Sequence, residues 1–330
     1  SMTATIMDGR RLAQEIRANI RLEVNSLRED GVNPCLATVL VGEDPASKTY
    51  LKIKHSSCQE VGIQSRNFQL PTNTRAEELY RVIEDLNNDP TVHGIIVQLP
   101  LPPGINGDCL IEKIAPQKDV DGLHPINAGM LAYRKYELVP CTPKGIMTLL
   151  AHYKISLDGK HAVIINRSNL VGKPLSFLLS TLDPAQLLFL STDILLLNAD
   201  ATVTVCHSRT KNLEKFTRDA DILVSAVGHR PDFIITEDMV KEEAVIIDVG
   251  MSRIEGKLYG DVDFDNVLKK ASYITPVPGG VGPMTVAILL HNTLIATAKQ
   301  ERVDIKYDLI ELWNVGKGRK QEPISVLRGT

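Results

Sequence analysis

The chain lacks a concentration of positive charge. Of its 330 residues, 37 are Lys or Arg and 40 are Asp or Glu, which gives a formal net charge of −3 at pH 7. The basic residues do not cluster before the last thirty positions. A protein that binds nucleic acid neutralises phosphates with a dense basic face. The composition therefore predicts no nucleic-acid partner.

Cysteine is scarce and scattered. The five cysteines are Cys35, Cys58, Cys109, Cys141 and Cys206, and no two of them form a C-x-x-C pair. An odd and dispersed set of cysteines indicates neither a disulfide framework nor a zinc site. We therefore expect no metal and a reducing compartment. The expected location is the cytoplasm, or the mitochondrial matrix if a presequence has been removed.

Long apolar runs are missing as well. A helix that spans a bilayer needs about 20 consecutive apolar residues, and no uninterrupted run in the sequence approaches that length. The first residues also lack the pattern of a signal peptide. We therefore expect no membrane partner.

The sequence does contain a regular alternation of apolar runs and amphipathic segments. Runs such as 36–42, 161–165 and 222–227 have the composition of buried strands, and segments with helical spacing lie between most of the runs. This alternation is typical of parallel sheets joined by crossover helices, and 330 residues suggest two domains. We predict an α/β fold whose second half is a Rossmann-like, doubly wound parallel sheet. Ligands are expected at the carboxyl ends of its strands.

Tyr50 and Lys54 lie four residues apart on a predicted helix and therefore share a face. Such a pair can offer a ring for stacking and an amine that desolvation keeps neutral, so that it can act as a base. On spacing alone, an ordinary surface lysine is the commoner case. The Y-x-x-x-K pattern also occurs in short-chain dehydrogenases. There it follows the nucleotide-binding segment, whereas here it precedes the better candidate for that segment.

Three further stretches carry polar or glycine residues where ligands commonly bind. Gln98 follows the apolar run 95–97, at the carboxyl end of a predicted strand, although a plain exit from the strand is an equal alternative. Asp119 and Asp121 in "KDVDG" can form a turn or accept hydrogen bonds from an amino-heterocycle. The segment "TPVPGGVGPMT" (275–285) combines glycines with the start of a helix. It therefore predicts a ligand-binding loop more strongly than an ordinary irregular one.

The segment "VIINRSNLVGKP" (163–174) has the pattern of a strand, a tight turn and a helix. This arrangement can hold a pyrophosphate through backbone N–H groups. The next strand normally ends in an acid that binds the ribose of NAD, but here it ends in "VCHSRT". Ser208 and Arg209, together with Arg167, can instead receive a 2′-phosphate. The sequence predicts NADP, and a Rossmann scaffold without a cofactor is the alternative.

Taken together, these segments resemble the bifunctional methylenetetrahydrofolate dehydrogenase/cyclohydrolase family. The matching segments occur in the family's order over about residues 6–298, and they are "YLKIKHSSCQEVGI", "HGIIVQLPLP", "KDVDGLHPINAG", "PCTPKG", "RSNLVGKP", "ATVTVCHSRT" and "ITPVPGGVGPMTVAILL". The resemblance implies an enzyme of one-carbon metabolism that oxidises 5,10-methylenetetrahydrofolate with NADP. It also implies that the 5,10-methenyltetrahydrofolate formed is hydrolysed to 10-formyltetrahydrofolate.

The resemblance also implies roles for individual residues. The implied catalytic residues are Lys54, Tyr50, Gln98 and Asp121: Lys54 is the key residue, Tyr50 stacks on the folate, Gln98 holds Lys54, and Asp121 binds the amino-pyrimidine edge of the pterin. The implied substrate-binding residues are these four and Val97, Leu99, Pro276, Val277, Pro278, Gly279, Gly280 and Met284. The implied cofactor-binding residues are Asn166, Arg167, Ser168, Ser208, Arg209 and Met251.

The architecture implied by the resemblance is two α/β domains that flank a cleft. The folate-binding catalytic domain is expected to comprise residues 2–148 and 284–330, and the Rossmann-like NADP-binding domain residues 149–283. A homodimer joined through the nucleotide domains is also implied, with tetrahydrofolate derivatives as the small-molecule partners.

The chain departs from the family pattern in two places. Asn166 stands where the family has glycine, and asparagine tolerates a left-handed backbone better than most residues. The segment around 181–196 is longer than a crossover connection requires. Either departure can weaken NADP binding or alter the dimer contact. The alternative function is therefore a folate-binding family member whose dehydrogenase activity is weakened or lost.

Overall fold

The computed structural model describes residues 3–133, 138–181 and 200–305. Most of the atypical segment at 181–196 and the tail beyond residue 305 therefore lie outside the described residues. The chain divides into two compact units. Unit 1 comprises Ser1–Gln14, Leu131–Lys135 and Pro140–Thr285, and unit 2 comprises Glu15–Met130, Tyr136–Val139 and Val286–Thr330.

The described residues form an alternating series of strands and helices. The strands are β1 (Thr5–Ile6), β2 (Cys35–Val41), β3 (Gln64–Leu70), β4 (Gly94–Val97), β5 (His161–Ile165), β6 (Thr202–Cys206), β7 (Ile222–Ser225), β8 (Val245–Asp248), β9 (Ser252–Ile254), β10 (Lys257–Tyr259) and β11 (Tyr273–Ile274). The helices are α1 (Gly9–Glu29), α2 (Pro45–Val61), α3 (Ala76–Asn88), α4 (Gly107–Ile111), α5 (Pro125–Ala132), α6 (Cys141–His152), α7 (Gly172–Thr181), α8 (Leu213–Thr217), α9 (Phe264–Val267) and α10 (Val281–Glu301).

Unit 2 contains a parallel sheet with the strand order β3-β2-β4. All seven residues of β2 are buried, as expected for a central strand covered on both faces. Helix α3 packs its apolar stripe on this sheet, and its buried residues are Leu79, Ile83 and Leu86. The carboxyl ends of β2 and β4 therefore lie side by side.

Unit 1 contains a six-stranded parallel sheet with the order β1-β11-β8-β7-β5-β6 among the described residues. The central strands β5, β7 and β8 are almost entirely buried, which explains their continuous apolar sequences. Strands β9 and β10 form a separate antiparallel hairpin. The α/β class and the parallel sheet predicted for the second half are confirmed.

The compact units differ in their bounds from the predicted domains. Strand β1 pairs with β11, so the first residues of the chain belong to the sheet of unit 1. Residues 140–148 also belong to unit 1. The boundaries of the functional domains stay a prediction, because a compact unit is defined by packing and a functional domain by its ligand.

One prediction about an individual element is wrong. The apolar composition of "GIIVQLPLP" (94–102) predicts one strand over the whole segment, but β4 ends at Val97. Pro100 and Pro102 carry no backbone N–H, so the segment beyond Val97 cannot continue the ladder. Among the described residues, helix α10 is long and apolar enough to cross a membrane by length and composition alone, but His291 and Asn292 interrupt its apolar run, in keeping with the sequence analysis. Its most apolar window is 78% buried inside the protein, as in the core helix of a folded domain.

Candidate active site

Helix α2 positions Tyr50 and Lys54. Asp44 caps the start of the helix, since its Oδ2 accepts from Ser47 N at 2.9 Å, and Pro45 occupies the first turn. Tyr50 and Lys54 follow on one face of this helix, as predicted. The Tyr50 side chain is 45% exposed, so its ring is available for stacking, whereas Lys54 is half-buried.

Gln98 joins Lys54 at the end of β4. The Gln98 backbone N–H donates to the Val39 carbonyl of β2 at 2.9 Å, so the residue is fixed at the edge where both strands end. Its Oε1 accepts a hydrogen bond from Lys54 Nζ at 2.9 Å. An amide oxygen holds the amine without adding a charge, which a carboxylate in the same place would do.

Asp121 adds a carboxyl group near Lys54. The side chain is partly buried, and burial raises the pKa of the Asp121 carboxyl, while the charge of Lys54 opposes that shift. Asp119 raises the same pKa further as a neighbouring negative charge. The structure thus brings together an amine from α2, an amide from the end of β4 and a carboxyl from the loop that leads into α5.

Asp119 has a different role from Asp121. It is 1% exposed, and its Oδ2 accepts from His124 N at 2.8 Å and from Asn127 Nδ2 at 2.9 Å. These bonds fix the loop that leads into α5. The two acids of "KDVDG" therefore divide into one that builds the loop and one that lies near the lysine.

The turn between β5 and α7 (residues 166–171), called the nucleotide turn below, is closed by the Asn166 side chain. Asn166 Oδ1 accepts from Ser168 N at 2.8 Å, Ser168 Oγ at 2.8 Å and Gly172 N at 3.0 Å. Asn166 Nδ2 donates to the Ala226 carbonyl at 2.9 Å. The hydroxyl proton of Ser168 is thus committed to Asn166, and Ser168 Oγ also accepts from Val171 N at 3.2 Å.

Arg167, Ser208 and Arg209 form an exposed rim beside this turn. Ile165 pairs with Cys206 in the parallel register of β5 and β6. Arg167 lies two residues beyond Ile165 and Ser208 two residues beyond Cys206, so the two occupy equivalent places past the ends of neighbouring strands. The side chains of all three residues are exposed. Neighbouring strand ends thus present two guanidinium groups and a hydroxyl, which suits a phosphate dianion.

A buried pair of acids, missed by the sequence analysis, lies beneath the loops after β7 and β8. Asp248 accepts from the backbone N–H groups of Gly250 at 3.1 Å, Asp261 at 2.9 Å and Val262 at 3.1 Å. Asp261 Oδ2 accepts from Ser225 Oγ at 2.7 Å and from Val227 N at 2.8 Å. The only signal in the sequence for Asp248 was the motif "DVG" (248–250), which also fits an ordinary turn.

Burial affects the titration of Asp248, which is 4% exposed. It raises the pKa of Asp248 to about 7, with a further contribution from the negative charge of Asp261. The backbone N–H groups that donate to the carboxylate oppose this shift. Met251 lies three residues after Asp248, beyond the end of β8, and is 49% exposed.

The segment 275–285, which ends in the first residues of α10, belongs to unit 1 and has a tightly fixed backbone. The Gly279 carbonyl accepts from Arg10 N at 3.0 Å, and Gly279 has a φ of 103°, which favours glycine. Met284 is fully buried and Val97 is 7% exposed, so these two predicted substrate-binding residues present little side-chain surface. Pro276, Val277 and Pro278 are partly or fully exposed.

Comparisons with known proteins match both halves of the chain. A family model described as "Tetrahydrofolate dehydrogenase/cyclohydrolase, catalytic domain" matches residues 7–121, and the "NAD(P)-binding domain" of the same name matches residues 140–301. The bifunctional protein FolD of Nitrosopumilus maritimus is 49% identical over 302 residues, which covers 92% of this chain and 99% of the relative.

Two solved structures are similar over nearly their whole length. The bifunctional FolD methylenetetrahydrofolate dehydrogenase/cyclohydrolase of Campylobacter jejuni has a TM-score of 0.81 and 46% identity, covering 90% of this chain and 99% of that one. The Trypanosoma brucei methylenetetrahydrofolate dehydrogenase-cyclohydrolase, solved in complex with NADP cofactor and inhibitor, has a TM-score of 0.81 and 37% identity. It covers 92% of this chain and 100% of that one.

Proposed function

The chain belongs to the tetrahydrofolate dehydrogenase/cyclohydrolase family, and from this premise we propose how its own residues carry the two activities. It is an enzyme of one-carbon metabolism that oxidises 5,10-methylenetetrahydrofolate with NADP and hydrolyses the methenyl product to 10-formyltetrahydrofolate. Nothing in the described residues favours the alternative of a binding protein without dehydrogenase activity.

The observation that carries the proposal is the hydrogen bond from Lys54 Nζ to Gln98 Oε1 at 2.9 Å. It aims the amine from a partly buried position, beside the exposed ring of Tyr50 on the same helix. Tyr50 stacks on the folate, and Asp121 accepts hydrogen bonds from the amino-pyrimidine edge of the pterin. Val97, Leu99, Pro276, Val277, Pro278, Gly279, Gly280 and Met284 complete the proposed substrate-binding set.

Lys54 serves as the base of the hydrolysis. The oxygen of a water molecule bonds to the methenyl carbon, and the water proton passes to Lys54 Nζ. That proton is then available to the ring nitrogen that leaves when the carbon–nitrogen bond breaks. Gln98 supports both states of the amine, because its carbonyl oxygen accepts from Nζ whether or not the proton is held.

The residues at the carboxyl ends of β5, β6 and β8 fit NADP. When bound, NADP accepts the hydride that leaves the methylene carbon. Arg167, Ser208 and Arg209 hold its 2′-phosphate through charge-assisted hydrogen bonds, and the backbone at Met251 lines the same edge of the sheet. Asn166 and Ser168 shape the turn from within, since their polar atoms bond to each other and to the start of α7.

A homodimer joined through the nucleotide unit is part of the proposal. Strand β6 is at the edge of the described sheet, and Val205 on it is 37% exposed. An unpaired strand edge with exposed apolar side chains favours association. Sedimentation at micromolar concentration should give twice the mass of the chain, and a single-chain mass would contradict the dimer.

A cytoplasmic location is supported by the state of the cysteines. All five are free thiols, and four of them are buried. Free thiols persist in reducing compartments.

The experiment that tests the function is a direct assay with the full chain. Protein, 5,10-methylenetetrahydrofolate and NADP are mixed, and the absorbance of the methenyl product is followed with time. We expect turnover with NADP and a much higher KM for NAD, because NAD has no 2′-phosphate for Arg167 and Arg209. No methenyl product would contradict the dehydrogenase, and equal use of NAD would contradict the role of the rim.

A further inference from the structure

Four backbone N–H groups in the turn before α7 and at the start of α7 already have acceptors within the chain. The N–H groups of Ser168 and Gly172 donate to Asn166 Oδ1, and that of Val171 donates to Ser168 Oγ. The N–H of Lys173 donates to the Ser168 carbonyl at 3.0 Å. A helix start usually offers such groups to an anion. Here the chain itself supplies their acceptors.

The Asn166 amide also ties this turn to the neighbouring strand. Its Nδ2 donates to the Ala226 carbonyl, while the Ala226 N–H donates to the Ile165 carbonyl at 3.2 Å. The amide orientation follows from chemistry, since its oxygen meets three donors and its nitrogen meets a carbonyl. Both ends of the side chain are therefore used.

Packing leaves the turn little freedom to rearrange. A Cβ added at Gly172 would lie 2.0 Å from the Asn166 backbone oxygen, so the start of α7 sits directly on the end of β5. Leu175, in the same helix, is fully buried. The turn is therefore held from the outside by packing and from the inside by the Asn166 side chain.

We propose that Asn166 is a positioning residue that takes the place of an anion inside the turn, so that the phosphates of the cofactor are held by side chains at the rim and not by the amides of α7. The inference rests on the proposed function, because it concerns how NADP is held. Asn166 organises the turn before NADP arrives, and the rim of Arg167, Ser208 and Arg209 carries the charge of the interaction.

Two consequences separate this arrangement from binding by a helix start. The amides of Ser168 and Gly172 should already be protected in the cofactor-free protein. Addition of NADP should add little protection, because the donors already have acceptors. In a turn that binds phosphate through its amides, protection would rise on addition of NADP.

The test combines amide hydrogen exchange with kinetics on the full chain. In the wild type, the amides of Ser168, Val171 and Gly172 should exchange slowly with or without NADP. Asn166→Gly should exchange quickly there, and its KM for NADP should rise about tenfold with little change in kcat, since the rigid turn is lost. Asn169→Gly is the matched control in the same turn, because Asn169 is exposed and makes none of these bonds, and it should behave as the wild type.

Other outcomes have separate meanings. Fast exchange in the cofactor-free wild type, or protection that arises only with NADP, would overturn the role of Asn166. An unchanged or lower KM for NADP in Asn166→Gly would do the same. A wild type that forms no methenyl product with NADP would contradict the proposed function instead, and the exchange in cofactor-free protein would still decide whether Asn166 closes the turn.

Discussion

At the scale of single residues, the chemistry depends on which neighbours a lysine has. Lys54 contacts a neutral amide oxygen at 2.9 Å and lies near a carboxyl group that burial makes harder to ionise. A fully charged carboxylate in direct contact would favour the protonated amine. The neutral amide of Gln98 as the direct partner therefore fits the proposed role of Lys54 as the proton acceptor in hydrolysis.

Asp121→Ala tests the proposed contact of the Asp121 carboxyl group with the pterin. Removal of the carboxyl should raise the KM for methylenetetrahydrofolate by about tenfold, because hydrogen bonds to a charged group contribute roughly 1.5–3 kcal/mol. The KM for NADP should stay the same. Asp108→Ala, an exposed acid in α4, is the control. Unchanged folate affinity in Asp121→Ala would contradict the proposed contact with the pterin.

The sequence predicts the pairing of Lys54 with Gln98, but it does not predict the contacts of Asn166. The pair of Lys54 and Gln98 was implied by the resemblance of their segments, and the structure places their polar atoms within hydrogen-bond distance. The role of Asn166 was not accessible in this way. Its side chain bonds to Ala226, sixty positions along the chain, and only the pairing of β5 with β7 brings these residues together.

At the scale of elements, adjacent strand ends create the exposed rim that we propose binds the 2′-phosphate of NADP. Parallel pairing of β5 with β6 places Arg167 and Arg209 at one edge of the sheet. Arg209→Ala should raise the KM for NADP about tenfold and leave that for NAD nearly unchanged, because the proposed partner of the guanidinium is the 2′-phosphate alone. Lys211→Ala, an exposed cation two residues further on, is the control. An equal loss with both cofactors would show that Arg209 acts on the loop rather than on the phosphate.

The buried acids below the loops after β7 and β8 predict a pH dependence of stability. The folded-state pKa of Asp248 is about 7, above the ordinary value of about 4. The folded state therefore favours the protonated acid, and its stabilising effect is complete below about pH 4 and lost as the pH rises through 7. The free energy of unfolding should fall by about 2.6 kcal/mol between pH 5 and pH 8 from this group.

Urea denaturation of the wild type and of Asp248→Asn at both pH values measures this contribution. The asparagine variant cannot ionise, so the stability difference between the two proteins should shift in favour of the variant as the pH rises. The same difference at pH 5 and pH 8 would contradict the assignment. Asp232→Asn, an exposed acid in the same unit, controls for the general change of charge.

The elements themselves were largely predictable where their patterns are long. The apolar runs of β2, β5 and β8 and the helical period of α1 and α3 are strong signals. Strand β1 has two residues, and β9 and β10 have three each, so they are too short to show a period. Their pairing depends on distant segments, which a local pattern does not contain.

At the scale of the whole molecule, the proposed base of the hydrolysis and the proposed cofactor rim lie in different compact units. Lys54, Gln98 and Asp121 belong to unit 2, whereas the nucleotide turn and its rim belong to unit 1. Hydrolysis of the methenyl group needs no hydride acceptor. Substitutions in the rim should therefore affect oxidation alone, and substitution of Lys54 should affect hydrolysis most.

The most direct test of the account is the hydrolysis of 5,10-methenyltetrahydrofolate by Lys54→Met, followed by the loss of methenyl absorbance. We expect hydrolysis to fall to the rate without enzyme, while the affinity for folate, measured by fluorescence titration, changes by less than about threefold, because methionine keeps most of the side-chain volume. Lys52→Met, an exposed lysine on the same helix, should hydrolyse at the wild-type rate. Full cyclohydrolase activity in Lys54→Met would contradict the assignment of Lys54 as the base.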